Sequence, residues 1–198
     1  MTSQPPHGIR SCVFDAYGTL FDFASAAARC TDVPGDKADR LTALWRDKQL
    51  QYTWLRAAQG RHADFWRVTG DALDFALETL DLAGPGLHDR LMQLYLTLDP
   101  FPEAAAALQQ LRGAGFTSAI LSNGTPQMLA SAVANAGFGD LIDPVLSVEE
   151  VGVYKPHPKV YQLACDRLGA AAGAIVFISS NGWDACAAAA SGNGSRVR

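Results

Sequence analysis

The hydrophobic pattern changes character twice along the chain. Residues 11–15, "SCVFD", read as a short buried strand that delivers an aspartate to its end, with a Gly-Thr turn directly after it. From about Phe23 to Leu98 only helical spacing recurs. Leu41, Leu44, Trp45, Lys48, Tyr52 and Leu55 share such spacing, "ADFWRVTGDALDFALETL" continues in the same style, and "GPGLHDRLMQLYLTL" opens another helix after a Gly-Pro-Gly break. "DPFPEAAAALQQLRGAGF" then supplies two prolines, an alanine-rich helix and a glycine stop. Beyond it strands ("TSAILSN", "DPVLSV", "AIVFISSN") alternate with helices ("PQMLASAVANAG", "HPKVYQLACDRLG", "WDACAAAA"). Such alternation predicts a parallel sheet with helices on both faces. The expected class is therefore α/β, a doubly wound parallel-sheet core with an all-helical cap inserted after the first strand. The expected divisions are residues 1–22 for the first part of the core, 23–98 for the cap and 99–198 for the rest of the core.

Composition narrows the picture. The chain has 198 residues, 48% of them hydrophobic, which is ample for one globular core with an insertion. A formal charge of -4 gives no reason to expect nucleic acid or an anionic membrane as partner. No apolar run approaches the ~20 residues that span a bilayer. "MTSQPPHGIR" has no hydrophobic signal region, so a cytoplasmic location is expected. Cys12, Cys30, Cys165 and Cys186 show no metal-ligand spacing and read as buried thiols. His157, between two prolines, reads as structural, and His7, His62 and His88 show no ligand spacing.

In open α/β sheets, ligands bind beyond the carboxyl ends of the strands. The polar residues that end the strands here are Asp15, then Ser122-Asn123, then Ser179-Ser180-Asn181, with Asp184 just inside the following helix. Lys155 lies in the loop "GVYKPHP". In "SNGTP", Thr125 can cap the next helix and Pro126 suits its first turn, which aims free N–H groups at the crevice. Each of these residues alone has a plainer reading: a turn cap, a solvated lysine, an ordinary first-turn acid, a capped helix. Their joint placement favours a site. A lysine beside a buried aspartate also keeps that aspartate ionised, as a nucleophile requires.

"FDAYGTL", "LSNG", "KPHP" and "SSNGWD", in this order, resemble the motifs of the haloacid dehalogenase superfamily. "WRDKQLQYTWLR" followed by "ADFW" resembles the cap of its L-2-haloacid dehalogenases. Phosphatases of that superfamily place a second aspartate two residues after the nucleophile and an acidic pair near the last strand to hold Mg²⁺. Here those places hold Tyr17 and Ser179-Ser180-Asn181. A departing halide needs no proton, so the resemblance implies substitution at carbon, with no metal and no cofactor.

The implied reaction hydrolyses short (S)-2-haloacids to (R)-2-hydroxyacids and halide through an aspartyl ester, with inversion at C2. By position in the motifs, Asp15 attacks, and Asp184, with Lys155 and Asn181, activates water. Thr19, Lys155 and Ser179 hold Asp15 in its attacking pose. Ser122 and the backbone at Asn123 hold the substrate carboxylate, Arg46 and Asn123 receive the halide, and Tyr161 is a further polar site position. Tyr17, Leu50, Phe65 and Trp183 form the apolar wall. Taken alone, Arg46 lies off the packing stripe of its helix, as most solvated arginines do. The resemblance also implies a homodimer whose only other partner is the small 2-haloalkanoic acid. Two other readings stand beside it: a small-molecule phosphatase of the same superfamily, and an inactive remnant. The last rests on "SGNGSRVR", which looks too short for both a loop and the strand that should cover the outer edge of "AIVFISS".

Overall fold

The computed structural model describes residues 8–82 and 84–197. Its sheet has five parallel strands in the order β5-β4-β1-β6-β7: β1 (Ser11–Phe14), β4 (Thr117–Ser122), β5 (Val145–Ser147), β6 (Ile175–Ser179) and β7 (Gly194–Val197). β1 is central, paired with β4 on one side and β6 on the other. The chain fills one side of β1 first and then the other. The order therefore reverses at β1, which opens a crevice at its carboxyl end. All four residues of β1 are buried, as expected of a strand covered on both faces.

Helices α5 (Ala104–Gly113), α6 (Pro126–Asn135), α7 (Pro158–Leu168) and α8 (Gly182–Ala190) connect the strands. Between β1 and the rest of this core stand α1 (Ala24–Arg29), α2 (Gly35–Ala58), α3 (Phe65–Thr79) and α4 (Leu87–Leu96). The chain leaves and re-enters through a feature absent from the sequence reading: β2 (Phe21–Asp22) pairs antiparallel with β3 (Asp99–Pro100). α2 packs on α3 and α3 on α4, and Leu41, Trp45, Phe65, Val68 and Leu73 of α2 and α3 are buried. Full burial of each such side chain contributes roughly 1.5–3 kcal/mol.

Three expectations need correction. The outer edge of β6 is covered: β7 pairs with it in register from Val176–Gly194 to Ser179–Val197. A three-residue turn suffices, because Gly192 takes φ 87°, open to glycine, and the N–H groups of Ser191, Gly192 and Asn193 close the end of α8. The packing stripe of α2 is also shifted. Its buried residues are Leu41, Trp45, Gln49 and Thr53, whereas Leu55 is 51% exposed. Of the cysteines, Cys12 and Cys30 are buried, Cys165 is half-buried and Cys186 is exposed. His157 caps α7, its Nδ1 accepting from the Lys159 N–H at 3.2 Å. His7 lies outside the described residues. No helix among them is long and apolar enough to cross a membrane.

Candidate active site

Asp15 follows β1 directly, and its N–H still donates to the Ile178 carbonyl at 2.9 Å, so the ladder fixes its backbone. Its carboxylate lies in a buried polar cluster. Lys155, 1% exposed, donates from Nζ to Asp15 Oδ1 at 3.0 Å and to Asp184 Oδ2 at 2.9 Å. An ammonium so far from water is tolerable only because two carboxylates face it. Asn181 Nδ2 donates to Asp15 Oδ2 at 2.9 Å, and Ser179 Oγ stands 3.5 Å from the same oxygen. Tyr161 donates to Asp184 Oδ1 at 2.6 Å. Thr19 Oγ1 bonds Ser180, accepting from its N–H at 2.9 Å and donating to its Oγ at 3.2 Å. The loop carrying Lys155 is tied to β4, since the Lys155 N–H donates to Asn123 Oδ1 at 3.0 Å.

These contacts set the charges. Burial pushes the Asp184 carboxyl above its ordinary range; the Lys155 ammonium opposes the rise and the Asp15 carboxylate adds to it. Burial works to lower Lys155, but the Asp15 and Asp184 carboxylates and their hydrogen bonds outweigh it, so its pKa is raised. Burial, reinforced by Asp184, also raises the Tyr161 phenol, which stays a donor. The arrangement is an anchored carboxylate, a fixed cation and a second carboxylate in drier surroundings.

The helical side meets this cluster from above. Arg46 Nη2 donates to the Tyr17 carbonyl at 3.3 Å, two residues from Asp15, and its guanidinium lies 5.2 Å from the centre of the Phe23 ring. Tyr17 is buried, with ring centroids 5.9 Å from Phe65 and 5.3 Å from Tyr95. Its hydroxyl has no hydrogen-bond partner among the described residues and faces the turn at Gly124. That turn is held by Ser122 Oγ, which accepts from the Gly124 N–H at 3.2 Å, and by Ser147 Oγ, which donates to the Gly124 carbonyl at 2.6 Å. Thr125 caps α6 as its sequence implies, accepting from the Met128 N–H at 3.2 Å. Trp183 is half-buried with its ring edge-on to Trp54 of α2, and Leu50 is half-buried one turn beyond Arg46. Among the described residues no group of three or more His, Cys, Asp or Glu side chains stands close enough to hold a metal ion.

A family model for haloacid dehalogenase-like hydrolases matches residues 9–192. The chain belongs to this family. (S)-2-Haloacid dehalogenase 4A of Burkholderia cepacia is 47% identical over 89% of the chain and 77% of its own length. (S)-2-Haloacid dehalogenase 1 of Pseudomonas sp. (strain CBS-3) is 46% identical over 93% and 82%. The L-2-haloacid dehalogenase of Xanthobacter autotrophicus, in a structure with chloropropionic acid covalently bound, superposes with a TM-score of 0.88 at 45% identity, covering 94% of this chain and 76% of that one.

Several residues of this haloacid dehalogenase-like hydrolase escaped the sequence reading. Glu149 is one: it accepts from the Phe65 N–H at 3.1 Å and contacts His62 Nε2 at 2.8 Å. The Tyr154 hydroxyl donates to the Ala63 carbonyl in the same place. Gln49 and Thr69, both buried, lie between α2 and α3. Gln49 had a findable signal, four residues after Trp45 and eight after Leu41. Glu149 had none, because its partners are distant in sequence.

Proposed function

We propose that the protein hydrolyses short (S)-2-haloalkanoic acids to (R)-2-hydroxyacids and halide by substitution at carbon. The observation that carries this reading is Lys155 bridging Asp15 and Asp184 in a buried cluster where Tyr17 stands two residues after Asp15. The identity of 46–47% to two (S)-2-haloacid dehalogenases supports the same substrate class.

In the proposed mechanism an Asp15 oxygen attacks C2 from the side opposite the halogen. The C–O bond forms as the carbon–halogen bond breaks, the halide leaves with the bonding pair, and C2 inverts. Lys155, Asn181, Ser179 and Thr19 keep the attacking carboxylate oriented. Ser122 and the Asn123 backbone, in the turn that leads into α6, bind the substrate carboxylate, beside the Tyr17 hydroxyl. Arg46 and Asn123 receive the halide. Tyr17, Leu50, Phe65 and Trp183 surround the alkyl group. Water then adds to the Asp15 carbonyl while Asp184, held by Lys155 and Tyr161, takes its proton. The acyl C–O bond breaks with its pair on the C2 oxygen, which takes the proton back from Asp184; the hydroxyacid leaves with its C2 configuration unchanged, Asp15 keeps the water oxygen, and the second water proton passes to solvent.

We also propose division into a core (1–22 and 99–198) and a cap (23–98), a cytoplasmic location and a homodimer, the last checked by light scattering. The test of function is halide release from each enantiomer of 2-chloropropionate, with and without EDTA. Release from the (S) form in both conditions is expected. No release from either enantiomer by folded protein would overturn the reading.

A further inference from the structure

Arg46 is a long side chain that must hold one pose for the halide role proposed above. We infer that Gln49 is the positioning residue that fixes it, and that Thr69 and Tyr95 in turn fix Gln49. Gln49 is 1% exposed, one turn after Arg46 on α2, and its Oε1 accepts from Arg46 Nη1 at 2.7 Å. Its Nε2 donates to Thr69 Oγ1 at 2.7 Å and to the Tyr95 hydroxyl at 3.2 Å.

Hydrogen-bond chemistry dictates which end of the amide faces Arg46. The Thr69 hydroxyl proton is committed to the Phe65 carbonyl at 2.6 Å, so the Thr69 oxygen facing Gln49 can only accept. The NH₂ must therefore point at Thr69, which leaves the carbonyl oxygen for the guanidinium. Thr69 is itself pinned, because its carbonyl accepts from Trp45 Nε1 at 2.9 Å. Three helices thus converge on one amide.

This inference rests on the halide role of Arg46, and two variants separate the two claims. Gln49→Leu removes the acceptor while keeping an apolar body of similar size. Gln49→Glu keeps an acceptor for Arg46 but cannot donate to Thr69 and offsets the guanidinium charge. Both should weaken bromide as a product inhibitor by about tenfold, the scale of one hydrogen bond to a charged group. Ester formation measured in single turnover should slow while ester hydrolysis is unchanged. A crystal structure of Gln49→Leu should show the guanidinium away from the Tyr17 carbonyl, a readout independent of activity. Arg46 unmoved in that structure, or bromide inhibition and ester formation unaltered in folded Gln49→Glu, would overturn the role of Gln49. Bromide inhibition unaltered in Arg46→Lys, with the guanidinium displaced in Gln49→Leu, would instead overturn the halide role and leave the positioning intact.

Discussion

Asp15 and Asp184 share one ammonium yet differ in surroundings, and the proposed division of their work follows that difference. Asp15 accepts from Lys155 and Asn181 at the end of β1 and keeps 6% of its surface exposed. Asp184 is completely buried against Lys155 and Tyr161. Asp15→Asn should lower turnover by about a thousandfold or more, since a neutral amide is a poor nucleophile; retention of most activity in a steady-state assay would reassign the attacking group. Asp184→Asn should slow ester hydrolysis by roughly a hundredfold, the scale of a general base, more than it slows ester formation. A substrate adduct on the Asp15 peptide should then accumulate in mass spectra. Asp184 must be ionised to accept a proton, and burial raises its pKa. The acid limb of the kcat profile should therefore lie above the ordinary aspartate range and disappear in Asp184→Asn. Lys155 acts at the other end: its raised pKa stabilises the fold fully below the unfolded lysine value, and that contribution is lost as pH rises through the folded value. At this scale the sequence was informative where a residue ends a strand, as with Asp15, Ser122 and Ser179. Ser180 was legible as a strand-end hydroxyl, but not its pairing with Thr19, 161 residues away.

Strands and helices were legible because burial imposes a period of two or 3.6 on apolar residues. α2 shows where that rule runs short. Its buried face continues past Trp45 into Gln49 and Thr53, whose polar groups are satisfied inside the protein, so hydrophobicity alone pointed to Leu55 instead. The β4–α6 turn carries a sharper consequence. A Cβ on Gly124 would stand 2.8 Å from the Tyr17 hydroxyl, 2.9 Å from Tyr17 Cε2 and 3.1 Å from Leu129 Cδ2. The first two distances are too short to persist, so the Tyr17 ring must move. Gly124→Ala should cost about 1–3 kcal/mol, as overpacking does, and should raise KM if Tyr17 walls the substrate as proposed. A melting curve and a KM both unchanged would show that the turn yields without Tyr17.

At the scale of the whole molecule, the contacts between the sheet and the helices inserted after β1 are remote in sequence, and this was the least legible level. The β2–β3 pair and the contacts of Glu149 with His62 and Phe65 emerge only once the sheet is assembled. Glu149→Ala should cost about 1 kcal/mol, one partly exposed hydrogen-bond set, and lower Tm by a few degrees. The end of the chain was misjudged because its residues are polar and glycine-rich, whereas a parallel edge strand needs only backbone groups in register. Removing residues 194–198 should uncover β6, whose row of free N–H and C=O groups invites pairing between molecules, so light scattering should reveal aggregation at concentrations where the full chain stays dispersed. Assembly of sheet and helices converges on a single chemical claim, that Asp15 itself becomes esterified. A single turnover of excess enzyme with (S)-2-chloropropionate in ¹⁸O-water tests it most directly. The account predicts ¹⁸O in the Asp15-bearing peptide and none in the first-turnover lactate; ¹⁸O in that lactate with an unlabelled Asp15 peptide would mean that water attacks the substrate directly.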